Sequence, residues 1–483
     1  MDTPEKMSYG MMLDQPTRKD LKIAITSIIF GMVLFVITGF PGASPLFTAY
    51  LKEYLGISDS AYGLILTLPF ITVLIQIPFT IFVSRFGQIK RSFLIFASLS
   101  KALFLVLAVL PLYREKLSDQ MTYGIVILVI IFMSIFNWIA DSALNTWFGA
   151  MIPNEIKGRY FSTRQMIFTI AMLAYALIMS QALRLLDGWA WKYTFFFSLA
   201  ALFGLIDAAS YLPARPPEKA YKPWYHKMPE QAAQTFSMHE FIAPLKDKQY
   251  RAYLMFAISW NFSIQISGPY YNVYMLNYLH FSLGLMTLMT QIIPAIATIL
   301  FLRKIGQAFD RYGFRPVLLL SCAISSVLPF SWIFTTPDLN WFVFPINILS
   351  GIFNIGIDLA IMSLAIFLAP HTQRSAYLAM KNVAMSMLGF VPAILIGGLI
   401  SDALRVYLNS HPVPFFGGYN LHPFHIVLFL SFALRILTVL VFARQLQDPN
   451  ALSFRAFVAQ ANADNLALLD EKKRRFNQRF KRR

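Results

Sequence analysis

Phe136-Asn137 followed by Asp141 recurs in the second half of the chain as Phe353-Asn354 followed by Asp358. The same separation relates Pro153 to Pro370, Lys157 to Arg374, Tyr160 to Tyr377 and Arg164 to Lys381. Upstream, Pro45, Phe47, Tyr50, Tyr54 and Ser58 return at a slightly larger constant separation as Pro269, Tyr271, Tyr274, Tyr278 and Ser282. Lipid alone asks for no asparagine or aspartate in a helix, so their repetition at fixed places has another cause. The chain is two copies of one membrane unit facing each other across a shared polar seam, the arrangement of a secondary transporter.

Hydrophobic residues make up 57% and charged residues 13% of the 483 positions, too apolar a balance for a water-soluble protein. That length accommodates about a dozen spans of roughly 20 residues each. Twelve are expected, near residues 21–52, 60–84, 92–112, 122–150, 162–185, 192–213, 250–278, 283–303, 316–335, 340–369, 382–402 and 422–443. All should be helices, since backbone groups in lipid must be satisfied within the segment and the alternation of a membrane barrel is missing. The expected organisation is a cytoplasmic N-terminal segment (1–20), a six-helix bundle (21–213) and a cytoplasmic linker ending in an amphipathic surface helix (214–249). A second six-helix bundle (250–443) and a basic cytoplasmic tail (444–483) follow.

With both termini cytoplasmic, the outside loops carry only Lys52, Arg114, Lys116, Arg184, Lys192 and Arg405 of the 41 Lys and Arg. That is the bias of the positive-inside rule, and one missed helix would scramble it. The net charge of +17 therefore needs no nucleic acid, and the tail from Lys472-Lys473-Arg474-Arg475 to Arg483 reads as a segment beside anionic headgroups. The first apolar run exceeds a signal-peptide core and is expected to stay as helix 1. Cys322 is the one cysteine, so an internal disulfide or zinc cluster is excluded, and no metal-ligand spacing or phosphate-cradling loop occurs. No cofactor and no enzymatic chemistry are expected.

Between helices 8 and 9 stands Gly306-Gln-Ala-Phe-Asp310-Arg311-Tyr-Gly313-Phe-Arg315. It resembles the signature loop of the major facilitator superfamily, in the place of that family's second copy. The first copy, between helices 2 and 3, keeps Arg85 and Gly87 but has Ser84 for the acidic residue and Thr80 for the first glycine. Gly158-Arg159-Tyr160-Phe161 with Arg164, and Gly268-Pro269-Tyr270-Tyr271, look like a bacterial subgroup of undefined substrate. The resemblance implies two pseudo-symmetric bundles, a cavity lined by helices 1, 4, 7 and 10, and a latch built from Gly306, Asp310, Arg311, Gly313 and Arg315.

Asn137, Asp141 and Asn145 share one face of helix 4, and Asn354 and Asp358 mirror them on helix 10. A carboxylate near the bilayer centre costs about 2.5–3.5 kcal/mol on insertion scales, so it should face water, a partner or a solute. Asp141 and Asp358 are the candidates for reversible protonation, or else bond across helices as structural glue. Candidate cavity residues are Asn137, Asn145, Asn354, Asn261, Gln265, Tyr270, Tyr271, Tyr274, Ser44 and Thr48; an interfacial aromatic belt is the other reading of the tyrosines. Pro41, Gly42 and Pro45, like Gly268-Pro269, are expected bending points. Lys101 and Asp207 are expected to pair within the first bundle, while Arg435 finds no acid on helix 9. The expected activity is proton-coupled, or else sodium-coupled, movement of a small polar organic solute by a monomer in a bacterial cytoplasmic membrane. Drug efflux is an alternative within transport, and a non-transporting sensor one outside it.

Overall fold

The computed structural model describes residues 6–8, 11–13, 15–40, 42–75, 88–152, 156–216, 238–370, 373–442, 445 and 459. Ten of its helices are long and apolar enough to cross a membrane, and a shorter apolar helix covers Asp59–Ile75. In chain order the first six spans are helix 1 (Gln15–Thr38, resuming as Pro45–Ala49 and Tyr50–Tyr54), helix 2 (Asp59–Thr72), helix 3 (Ile89–Val109), helix 4 (Asp119–Met151), helix 5 (Lys157–Leu185) and helix 6 (Lys192–Ser210). A surface helix, Met238–Lys246, precedes the second set. That set is helix 7 (Lys248–Gln265, resuming as Tyr270–Asn277), helix 8 (Leu283–Thr287 through Ile293–Tyr312), helix 9 (Phe314–Trp332), helix 10 (Val343–Leu368), helix 11 (Arg374–Ala384 through Val391–Ser410) and helix 12 (Pro423–Phe442).

Helix 1 begins at Gln15, earlier than the apolar run alone suggested, and a two-stranded antiparallel ribbon, Lys6–Ser8 with Met11–Leu13, precedes it. Both expected bending points break their helices, at residues 39–40 and 42–44 in helix 1, with Pro41 itself outside the described residues, and at 266–269 in helix 7. Helices 1, 8 and 11 each contain a π-helical turn, at Tyr50–Tyr54, Leu288–Ile292 and Met385–Phe390. Such turns are uncommon and concentrate at functional sites.

Several repeated residues prove to be structural. Ser58 and Ser282 are matching N-caps, accepting from the amides of Ala61 at 3.2 Å and Leu285 at 3.3 Å. Tyr50 stacks on Tyr54 (5.8 Å) and Tyr274 on Tyr278 (4.9 Å), each pair packed inside its own half. Tyr160 donates to the carbonyl of Leu21 and so ties helix 5 to helix 1, while the carbonyl of Tyr377 receives Tyr250 of helix 7.

Within the first half, helix 3 packs against helices 4 and 6, and helix 1 against helices 5 and 6. In the second half, helix 10 packs against helices 8 and 9, and helix 12 against helices 7 and 9. The halves meet along helix 2 against helix 11 and helix 5 against helix 8.

Candidate functional site

The end of the bundle away from the termini is closed by polar contacts between the halves. Asp59 begins helix 2 and is almost wholly buried. Its carboxylate receives Lys52 Nζ at 2.6 Å, the Arg405 guanidinium at 2.5 Å and Ser401 Oγ at 2.7 Å, the last two from helix 11. Asp402, also on helix 11, accepts from the backbone amides of Asp59 (2.9 Å) and Ser60 (2.8 Å). A carboxylate from one half thus sits on the positive amino end of a helix from the other.

The seal continues inward. Tyr270 donates to the Ile394 carbonyl at 2.6 Å, and Tyr62 bonds Thr48 (2.9 Å) and the Pro269 carbonyl (3.3 Å). The approach of helix 2 to helix 11 requires glycine. A β-carbon on Gly398 would lie 2.6 Å from the Tyr270 hydroxyl and 2.7 Å from the Asp59 carbonyl, and Gly63 is equally confined. Helix 5 joins helix 8 through Ser180 and the Gly284 carbonyl at 2.8 Å. Deepest is Phe70 stacked on Phe390, with ring centroids 4.8 Å apart.

Below that layer the repeated carboxylates come within reach of solvent. Trp138 Nε1 donates to the Pro69 carbonyl and so fixes helix 4 at the level of Phe70. Asp141 lies three residues beyond, about 4.5 Å nearer the termini. Asn145 donates to Asp141 Oδ2 at 3.1 Å and is itself exposed. Asp358 is exposed and accepts no hydrogen bond from any described residue. One turn further, Met362 is 45% exposed on the same face of helix 10. Near this face, Gly351 abuts Pro294 of helix 8 and Lys381 of helix 11 approaches Met362.

The structure divides the other candidate residues. Ser44, Thr48, Tyr270 and Tyr274 line no cleft: Ser44 caps the Pro45–Ala49 helix, Thr48 and Tyr270 belong to the seal, and Tyr274 is buried with its hydroxyl on His425 Nε2 (2.8 Å) and the Thr335 carbonyl. Tyr271 packs inside the second half against Trp332 and Phe424. Asn261 and Gln265 are half-buried on helix 7, where Asn261 donates to the Ala257 carbonyl.

Asn137 and Asn354 turn into their own halves. Lys101 Nζ donates to Asn137 Oδ1 at 3.0 Å, and Ser325 Oγ donates to Asn354 Oδ1 at 2.9 Å, helix 3 to helix 4 and helix 9 to helix 10. Lys101 and Asp207 therefore share a cluster without touching, for no ion pair among the described residues joins them. Asp207 lies against Gly31 of helix 1, and Lys101 is within electrostatic reach of both Asp207 and Asp141. Arg435 donates to the Ser325 carbonyl at 2.8 Å, and its buried Nε has no partner.

The loop residues behave unevenly. Gly313 has φ 85°, which only glycine adopts without strain, and it turns helix 8 into helix 9. Gly306 has open space where a side chain would stand, Arg311 is exposed beside the Tyr312 ring, and Arg315 lies in the first turn of helix 9. The Asp310 side chain, Arg85 and Gly87 lie outside the described residues, as do most of the linker and the basic tail. In the sequence Lys52 and Arg405 stand out only as orienting charges, and Asp59 and Asp402 do not stand out. Their one signal was opposite charge at two helix ends predicted to lie outside.

A model of the Major Facilitator Superfamily matches residues 24–394. Among solved structures, a point mutant of the nucleoside transporter NupG aligns with TM-score 0.67 and 14% identity over 89% of this chain and 100% of that one. A bacterial homologue of the human lysosomal transporter Spinster, inward-facing and occupied, aligns with TM-score 0.62 and 13% identity over 90% and 97%. The xylose transporter XylE from E. coli, inward open, gives 0.57 and 13% over 91% and 98%. No curated protein matches the chain.

Proposed function

The chain belongs to the Major Facilitator Superfamily, and on that premise we propose that it is a secondary active transporter moving a small polar organic solute by alternating access, coupled to protons through Asp141 and Asp358. The observation that carries this reading is the pair of repeat-related carboxylates beneath a seal of polar contacts between the halves. Carboxylates held in a membrane interior are costly unless they have work to do there. With the termini taken as cytoplasmic, the seal lies on the outer side, which fits an inward-facing state. A monomer in a bacterial inner membrane suffices, since both halves of the cleft come from one chain. The nucleoside and xylose carriers of similar fold move polar organic solutes, which supports that class of cargo.

Reconstituted protein tested for pH-gradient-driven uptake across a panel of sugars, peptides, nucleosides and dyes checks the reading. Asp141→Asn and Asp358→Asn keep shape and hydrogen bonding but cannot titrate. Each abolishes accumulation while exchange of cargo across the membrane persists. Full accumulation by both variants removes the two aspartates from coupling, and accumulation driven only by a sodium gradient replaces the proton.

A further inference from the structure

The charges buried in the two halves balance differently. In the first half Lys101 lies within electrostatic reach of Asp141 and Asp207, and Arg164 within reach of the same two acids. The second half holds two cations more than nine-tenths buried, Arg435 at 5% and Lys381 at 9% exposure, and neither takes part in any ion pair among the described residues. Arg435 is occupied within the bundle, where it donates to Ser325. Lys381 is not: among the described residues its ammonium has one hydrogen-bond partner, the Met362 sulfur at 3.8 Å, and a thioether is a weak acceptor. Met362 stands one turn from Asp358, so Lys381 lies on the side of helix 10 that carries that carboxylate, yet the two are too far apart to act as an ion pair. A buried ammonium without a counter-charge is a costly state, and it asks for an anion.

We propose that Lys381 is a substrate-binding residue and that the transported solute is an organic anion, bound through a carboxylate or phosphate oxygen. The inference rests on the transporter reading and sharpens it. An anion arriving at Lys381 supplies the missing counter-charge.

The test uses the full-length protein in detergent and a bacterial polar-metabolite extract separated by ion exchange into anionic, neutral and cationic fractions. The anionic fraction raises the melting temperature of the unaltered protein. Lys381→Met needs about tenfold or more of it for the same rise, the loss expected when a charged hydrogen bond is removed. Lys381→Arg keeps the response. Since Lys381→Met removes an unpaired charge, its melting temperature without additive stays at or above that of the unaltered protein; Lys381→Gln is the second neutral variant if it does not. A response confined to the neutral or cationic fraction, a response to none, or an undiminished response in both neutral variants overturns the proposal. So does a Lys381→Met protein whose anion response is intact but whose spin-label distances between the halves have changed, since Lys381 is then a gate residue. Halves that never change their separation refute the transporter reading itself, whereas halves that rock around a neutral cargo refute only the role of Lys381.

Discussion

The two halves place an asparagine at the same point, Asn137 on helix 4 and Asn354 on helix 10, and then surround it with different chemistry. In the first half the neighbour is Lys101, with Asp207 on helix 6 near by; in the second it is Ser325, with Arg435 on helix 12. Repetition has kept the skeleton of a helix-to-helix hydrogen bond while the charges have diverged. The first half closes its electrostatics internally. The second carries buried cations with no ion pair among the described residues, and its repeated carboxylate, Asp358, is the more exposed of the two.

The sharpest way to break that comparison is to remove an acid from the balanced half. Asp207→Leu strips a counter-charge from Lys101 and Arg164 together, and the cost expected is about 3 kcal/mol, at the lower end for a broken buried pair because Asp207 is only half-buried. Adding Lys101→Met recovers much of it, since Arg164 then keeps Asp141 as its remaining acid. A double-mutant cycle on detergent melting temperature reads the coupling, and additive effects would show that the first-half charges do not interact.

The mirror experiment is milder. Arg435→Met removes a buried charge whose one guanidinium nitrogen already lacks a partner, so it costs no more than about 1 kcal/mol and can stabilise the protein. A loss as large as that of Asp207→Leu would mean that the second half balances Arg435 through a partner, and the contrast between the halves would fall.

Smallest is the pH response at the outer end of the second half. Burial pushes the His422 imidazole down to about 3, helped by neighbouring His425 and Arg405. The unfolded chain therefore binds a proton that the folded chain refuses between about pH 6.5 and 3, and stability falls as pH falls through that window. From pH 7 to pH 6 the loss is under about 1 kcal/mol, and it shrinks in His422→Gln. A melting temperature that rises on acidification in the unaltered protein and not in the variant contradicts the assignment.

The spans, the two bundles and the bending points in helices 1 and 7 were legible because hydropathy, proline and glycine act locally. The identity of neighbours was not. Helical spacing placed Asn137, Asp141 and Asn145 on one face but could not say that Asn137 turns to Lys101 while Asn145 remains exposed, because a face wider than one neighbour spans both a packing contact and the cleft. Tyr270 and Tyr274 had the polarity of ligand contacts, yet both hydroxyls are taken up by backbone carbonyls, of Ile394 on helix 11 and of Thr335 just after helix 9. The seal was hidden for a further reason. Asp59 and Arg405 are far apart in sequence, have no repeat counterparts, and meet only where helix 2 of one half packs against helix 11 of the other.

Rocking of the two halves is the central claim, and the Asp59 cluster is where it is most directly tested. Asp59→Asn leaves Lys52 buried without its carboxylate and frees Arg405, removing about 3–5 kcal/mol from the sealed state. That is enough to shift a two-state population by two or more powers of ten. Spin-label distances should be measured with one pair across the outer mouth, at Ser60 and Ala403, and another across the inner mouth, in the unaltered and Asp59→Asn proteins. Outer distances that lengthen while inner ones shorten are the predicted result; distances unchanged at both mouths, or lengthened at both, contradict alternating access about this seal.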